Sequence, residues 1–352
     1  MNQVLFVSAA KAFPDPAHPG KFHRRAVRWI AFATGILCVG AVRDYGQTLV
    51  WRERAPVSRA RAGYMAGVIE GKYVIAGGSD WVNHQKQWTD EVDIFDPLGN
   101  AWAAGTRLPE PRSDAASVVF DNALYVFGGG QHDEVRRDAL VFRRGTWHAL
   151  PAGELPEPRV YSVAVADRGL IYLVGGMSDH TKWDSLSNQL WVWNPHSPNT
   201  GWRKLAPIPG PGLITEAVAA VRGKIYVLGG AKTGGKDVVN VKTAYEYDVR
   251  GNRWTVLPDL PIERRCWWGM PFGNEMLLFG GVTTTYESDV FAYRPSTKEL
   301  TRISRMPHGL CDAKFFPIGN SIYGMGGESG SEIRGPWTLE ATMPRNGTKR
   351  HE

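Results

Sequence analysis

The chain has 352 residues, including 40 Gly, 14 Trp and 3 Cys, and a formal net charge of +6. That length is more than one small core needs and suits two or three ordinary domains or one large repeat array. Three cysteines are too few for a disulfide framework, and basic residues gathered at the two ends, with no basic stripe interleaved with aromatics between them, argue against a nucleic-acid partner.

The first distinctive stretch is "FHRRAVRWIAFATGILCVGAV" (22–42), a basic flank followed by an apolar run from Trp29 to Val42. A run of about 14 residues is short for a membrane span and suits a signal-peptide core. An uncleaved anchor helix is the alternative, and the late basic flank leaves open which Met starts the chain. Either reading puts the remainder outside the cytoplasm, periplasmic or secreted, with the membrane met only through this segment. The expected organisation is a leader or anchor over 1–46, a repeat domain over 47–344 and a disordered tail over 345–352.

After the leader the chain repeats. "YVIAGG" (73–78) recurs as "YVFGGG" (125–130), "YLVGGM" (172–177), "YVLGGA" (226–231), "LLFGGV" (277–282) and "YGMGGE" (323–328). The Gly pairs are 46 to 54 residues apart. A second signal interleaves: "WRERAPVSR" (51–59), "WAAGTRLPEPR" (102–112), "WHALPAGELPEPR" (147–159), "WRKLAPIPGPG" (202–212) and "WTVLPDLPIER" (254–264), with "LTRISRMPHGL" (300–310) carrying Leu300 in the Trp position. Each period reads as four short strands: one after the Pro-rich turn, one ending in Gly-Gly, an alternating aromatic strand, and one opening at the Trp. Four strands per period of about 50 residues is the composition of a propeller blade. The array opens with a spare outer strand (about 48–56) and ends on a third strand, "PWTLEATM" (336–343). Pairing the two closes the ring and removes two open edges.

The apolar run, Gly-Gly, aromatic strand and Trp together resemble the kelch repeat, over about residues 48–343. The resemblance implies an all-β, six-bladed kelch-type β-propeller sealed by its N-terminal strand. In an up-and-down blade, the loops after Gly-Gly and the turns between blades emerge at one end, where the inner strands begin. A ligand site is expected at that mouth of the central channel.

Repetition separates scaffold from site. Arg59, Arg112, Arg159 and Arg264 fall in the blade-opening turns and read as scaffold residues bonded to inter-blade carbonyls. Departures from the repeat read as functional: Glu216 in "PGPGLITEAV" (209–218), Trp267 in "IERRCWWG" (262–269) and Asp312 in "HGLCDAK" (308–314). The clearest departure is "GGESGSEIRGP" (326–336). The residues after the other Gly pairs are Ser79, Gly130, Met177, Ala231 and Val282, all neutral, whereas here Glu328 follows directly and Arg334 comes six residues later. A Glu at the channel rim, partly desolvated, moves into acid/base range, and an Arg offers a bidentate grip on a carboxylate. An intraloop Glu–Arg salt bridge that stiffens the turn is the competing structural reading. Cys266 and Cys311 are expected as two buried or half-buried thiols, with one bridge between them as the alternative. The nine His show no metal-ligand spacing, so neither metal nor cofactor is expected.

The Gly-Gly-Glu with Arg six residues on is similar to the active-site loop of the bacterial kelch-type N-acetylneuraminate epimerases (sialic acid mutarotases). That family's loop usually carries Lys-Pro-Gly between the two residues, where this chain has Ser-Gly-Ser-Glu. The resemblance implies Glu328 as the catalytic acid/base and Arg334 as a substrate contact. Arg59, Arg61, Glu216, Trp267 and Asp312 complete the candidate substrate site, with Trp81 and Trp183 as further stacking faces. The implied partner is a small sugar or glycan. The alternative is a non-catalytic propeller that binds a glycan or a protein.

Overall fold

The computed structural model describes residues 43–44 and 49–342. The tail expected over 345–352 lies outside the described residues, as does the leader apart from 43–44. Six sheets, each with four antiparallel strands and one of them with a further short parallel strand at its outer edge, stand around a channel. Their inner strands are Met65–Ile69, Ala116–Phe120, Val163–Asp167, Ala217–Val221, Trp268–Phe272 and Lys314–Ile318. Each packs beside the next, and the sixth beside the first, so the ring is closed. We number the blades one to six in that order.

The second strands are the most hydrophobic because they are covered on both faces by neighbouring blades. Ala123–Phe127 and its counterparts form the inter-blade cores. The conserved phase of the Trp has a specific cause. Its ring covers the sheet while its indole N–H donates to a carbonyl at the end of the preceding blade. Trp102 reaches Ala55 O (2.9 Å), Trp147 reaches Thr106 O (2.9 Å), Trp202 reaches Gly153 O (2.9 Å) and Trp254 reaches Ala206 O (2.7 Å). Leu300, in the Trp position of blade five, fills the core without making that bond.

Blade six is completed by Val50–Glu53, which pairs antiparallel with Thr338–Thr342. Trp51 of that strand packs edge-on against Phe279 and Phe315, and its indole bonds Ser304 Oγ of blade five at 3.1 Å. Closure by the N-terminal strand is therefore as the strand count implies. The backbone of Arg43–Asp44 runs parallel to the outer strand of blade five, opposite Thr301 and Arg302.

One register differs from the sequence reading. The bridges Ala62–Ser79, Ser113–Gly130, Val160–Met177 and Arg265–Val282 align Arg61, not Arg59, with Arg112, Arg159 and Arg264. The equivalent residues in blades four and six are Leu213 and Leu310, opposite Ala231 and Glu328 through Ile214 and Cys311. Two of the four bond a Gly-Gly carbonyl of their own blade, Arg112 to Gly128 O at 3.0 Å and Arg264 to Gly280 O at 3.1 Å, while Arg61 reaches Asp93 and Arg159 reaches Ser187 Oγ.

Candidate functional site

The channel mouth is built from one residue per blade, placed just before each inner strand: Gly63, Asp114, Tyr161, Thr215, Cys266 and Asp312. All six have left-handed φ between 54° and 66°. That conformation is uncommon for non-glycine residues and needs support from its surroundings. The support is a chain of main-chain bonds around the mouth. Asp114 N–H donates to Gly63 O (2.6 Å), Tyr161 to Asp114 O (3.0 Å), Cys266 to Thr215 O (2.8 Å) and Asp312 to Cys266 O (3.1 Å). At the seam between blades six and one, Gly63 N–H donates to the Asp312 carboxylate instead. All six residues line one cavity of about 190 Å³, together with Glu216, Trp267, Trp268, Cys311, Lys314, Glu328 and Arg334.

Glu328 and Arg334 come together for a local reason. They are cross-strand partners in a two-stranded hairpin, Glu328–Gly330 with Ile333–Arg334. Gly327 makes the approach possible: its φ is +91°, and a Cβ there would lie 2.7 Å from Cys311 O. The Glu328 main chain then exchanges two bonds with Cys311, both 2.9 Å. Arg334 Nη2 contacts Glu328 Oε1 at 2.9 Å, and Cys311 Sγ lies 3.7 Å from Oε2. Burial pushes the Glu328 carboxyl up to about 7, against the pull of Arg334 and with the push of Asp312 and Asp114. The intraloop salt bridge and the cavity placement therefore coexist. Arg334 is only 8 % exposed, and its Nε and Nη1 have no partner among the described residues.

Asp312 lies in the same cavity, and burial raises its carboxyl above the usual carboxylate range. Glu216 also lines it, 2 % exposed, with neither carboxyl oxygen bonded among the described residues. Burial alone drives its carboxyl up to about 8. Trp267 borders the cavity but belongs to the core between blades four and five, where its indole donates to Leu228 O at 3.0 Å. Its neighbour Trp268, at the start of the inner strand, is the half-buried aromatic of the channel.

Arg59 and Arg61 stand apart from this lining. Arg59 is paired with Asp80 at 2.9 Å, and Arg61 is fully buried against Asp93 at 2.6 Å. Trp81 and Trp183 are not among the lining residues either. Cys266 and Cys311 are free thiols; Cys266 beside it and burial both push the Cys311 thiol up. Among the described residues, no group of three or more His, Cys, Asp or Glu side chains is placed to hold a metal ion.

Sequence reasoning missed the left-handed ring, Trp268 and Lys314. The ring carries six positions of five residue types, so only its phase in the repeat marks it.

Fold and site together define a six-bladed propeller of kelch-repeat type with a charged cavity at one mouth. The Kelch motif matches residues 217–261. Among relatives, mouse Kelch-like protein 35 is 27% identical over 65% of this chain and 38% of its own length. Kelch-like protein terF of Aspergillus terreus is 25% identical over 68% of this chain and 53% of its own. The chain thus spans between about a third and a half of these proteins. Among solved structures, that of YjhT superposes with a TM-score of 0.66 at 16% identity, over 82% of this chain and 96% of the other. At that identity the likeness concerns the fold.

Proposed function

We propose that this propeller is a sugar mutarotase (epimerase) that interconverts anomers of N-acetylneuraminate or a related acidic sugar, with Glu328 as general acid/base. The observation that carries the reading is Glu328 itself: a cavity carboxyl held by Arg334 and raised to about 7. A group titrating near neutrality can both take and return a proton at useful rates. Ionised Glu328 removes the anomeric hydroxyl proton as the ring oxygen is protonated by Asp312 or a water. The ring opens to the C2 ketone, the C2–C3 bond of the open chain rotates, and reclosure of the hydroxyl on the other carbonyl face returns both protons to where they began. Arg334 keeps two N–H-bearing nitrogens, Nε and Nη1, without a partner among the described residues, and its cation favours the sugar carboxylate.

The test is anomer exchange of N-acetylneuraminate followed by proton NMR. Catalysis by wild type that is lost in Glu328→Gln supports the reading. Equal rates in both proteins, no faster than buffer, would overturn it. An extracytoplasmic location, implied by the basic and apolar N-terminal stretch, belongs to the same proposal.

A second reading rests on a different observation. Val82, Val239 and Ile333, on the hairpins that follow three of the Gly pairs, are exposed apolar side chains. Such residues suit a non-catalytic propeller that binds a protein or glycan through this face. Saturable sugar binding without exchange would favour it.

A further inference from the structure

Lys314 opens the inner strand of blade six. The residues at the same place in the other blades are Met65, Ala116, Val163, Ala217 and Trp268, all apolar. Its backbone is pinned from both sides: its N–H donates to Tyr64 Oη at 3.0 Å, and its carbonyl accepts from Tyr73 Oη at 2.6 Å. The side chain lines the mouth cavity with Glu328, Asp312 and Arg334. Nζ lies 5.7 Å from the Tyr64 ring and 5.7 Å from the Trp268 ring.

A lysine kept for the fold would have a counterion. Lys224 and Lys298 do, both reaching Glu246. Among the described residues Lys314 has no carboxylate within 4.0 Å of Nζ; its half-buried side chain faces the cavity, with the two rings as its neighbours. Holding an unpaired ammonium partly away from water weakens a fold, and the Met found at this place in blade one avoids that cost. Burial lowers the Lys314 ammonium from its ordinary value, while Asp312 and Asp114 partly restore it. A desolvated lysine is a usual form of reactive amine, and here the charged groups that act on it are carboxylates able to take its proton.

We propose that Lys314 is a covalent capture site for carbonyl compounds, forming a Schiff base with the keto carbon of a 2-oxo acid whose carboxylate rests on the free N–H groups of Arg334. The ammonium first gives a proton to a cavity carboxylate, Asp312 or Glu328. The free Nζ lone pair then bonds to the carbonyl carbon, and the C=O π pair moves to oxygen. That oxygen takes one proton from the nitrogen and the second from the carboxyl group, and leaves as water. A protonated imine remains, the carboxylate is restored, and no oxidant or co-reactant is consumed. This goes beyond anomer exchange, which needs no covalent bond to the protein.

The probe is pyruvate with cyanoborohydride, applied to the full chain, followed by peptide mass mapping. The expected result is one reduced pyruvyl group on Lys314, gained about tenfold faster than on the exposed Lys232 and Lys236. Lys314→Met and Lys314→Arg, each checked for native circular dichroism, abolish the preferred label, and the Arg variant does so with the charge retained. Labelling of Lys314 no faster than of Lys232 and Lys236, or equally fast in urea-unfolded protein, overturns the proposal. Anomer exchange by Glu328→Gln is measured separately, so failure of either idea is distinguishable from failure of the other.

Discussion

Glu328 and Glu216 are both carboxyls that burial makes hard to ionise, and they differ in what faces them. Glu328 has Arg334 as a cation; Glu216 has no partner among the described residues. Glu216 takes the repeat position of Tyr64 and Trp267, whose polar atoms donate to Met325 O and Leu228 O of the preceding blade. A neutral carboxylic acid can donate in the same way, and its Oε1 packs 2.6 Å from where a Cβ on Gly175 of blade three would lie. The linkage has a definite sign. Below the ordinary value of 4.5 both folded and unfolded Glu216 are protonated, and nothing is lost. Between 4.5 and about 8 the unfolded chain ionises while the folded one resists, so stability falls as pH rises through that window. Glu216→Gln keeps a donor and removes the ionisation. Its urea midpoint is expected to change less than that of wild type between pH 5 and pH 9, giving a gain of about 1–3 kcal/mol at the alkaline end. For Glu328 the expected readout is kinetic. Exchange catalysed by its ionised form rises through about pH 7, and Glu328→Gln lowers the rate by about 10²–10⁴-fold in the NMR assay.

Within the elements, the six-residue spacing of Glu328 and Arg334 is a hairpin register: two cross-strand partners on one short ribbon. Arg334 holds the Glu328 carboxyl down against burial. Arg334→Met is therefore expected to shift the exchange profile to higher pH and to weaken binding of acidic sugars more than neutral ones, as a series of NMR rates would show. The outer-strand Trp obeys the same economy of one residue and two contacts. Trp254→Phe keeps most of the packing and strands Ala206 O, at an expected cost of about 1 kcal/mol by urea unfolding. Why the repeat tolerates Leu300 follows too: a Leu fills that core without serving a carbonyl of the preceding blade.

At the scale of the whole molecule, closure is the decisive contact. Val50–Glu53 pairs with the end of the chain, and Trp51 ties it to blade five. Trp51→Ala is expected to lower stability by about 3 kcal/mol, measured by urea unfolding, because the strand that seals the ring loses its aromatic contacts with Phe279 and Phe315. The blades and this closure were legible in the sequence because their signals are periodic and local: apolar run, Gly pair, aromatic strand, Trp, with a spare strand at the front of the array and a missing one at its end. The pairing of Glu328 with Arg334 was legible for the same reason, since a hairpin brings close neighbours in sequence face to face.

Other features depend on the closed ring. Neighbouring residues on a strand point to opposite faces, so a shift of one separates Trp268 in the channel from Trp267 in the inter-blade core. A shift of two separates Arg61, in the phase of the repeating arginines, from Arg59. Sequence alone determined how many blades there are, how they are sealed and which loop departs from the repeat. Only the tertiary structure decided which residues meet at the mouth. Gly63, Asp114, Tyr161, Thr215, Cys266 and Asp312 are distant in the chain, have no residue type common to all, and are neighbours because six strand ends converge on one axis.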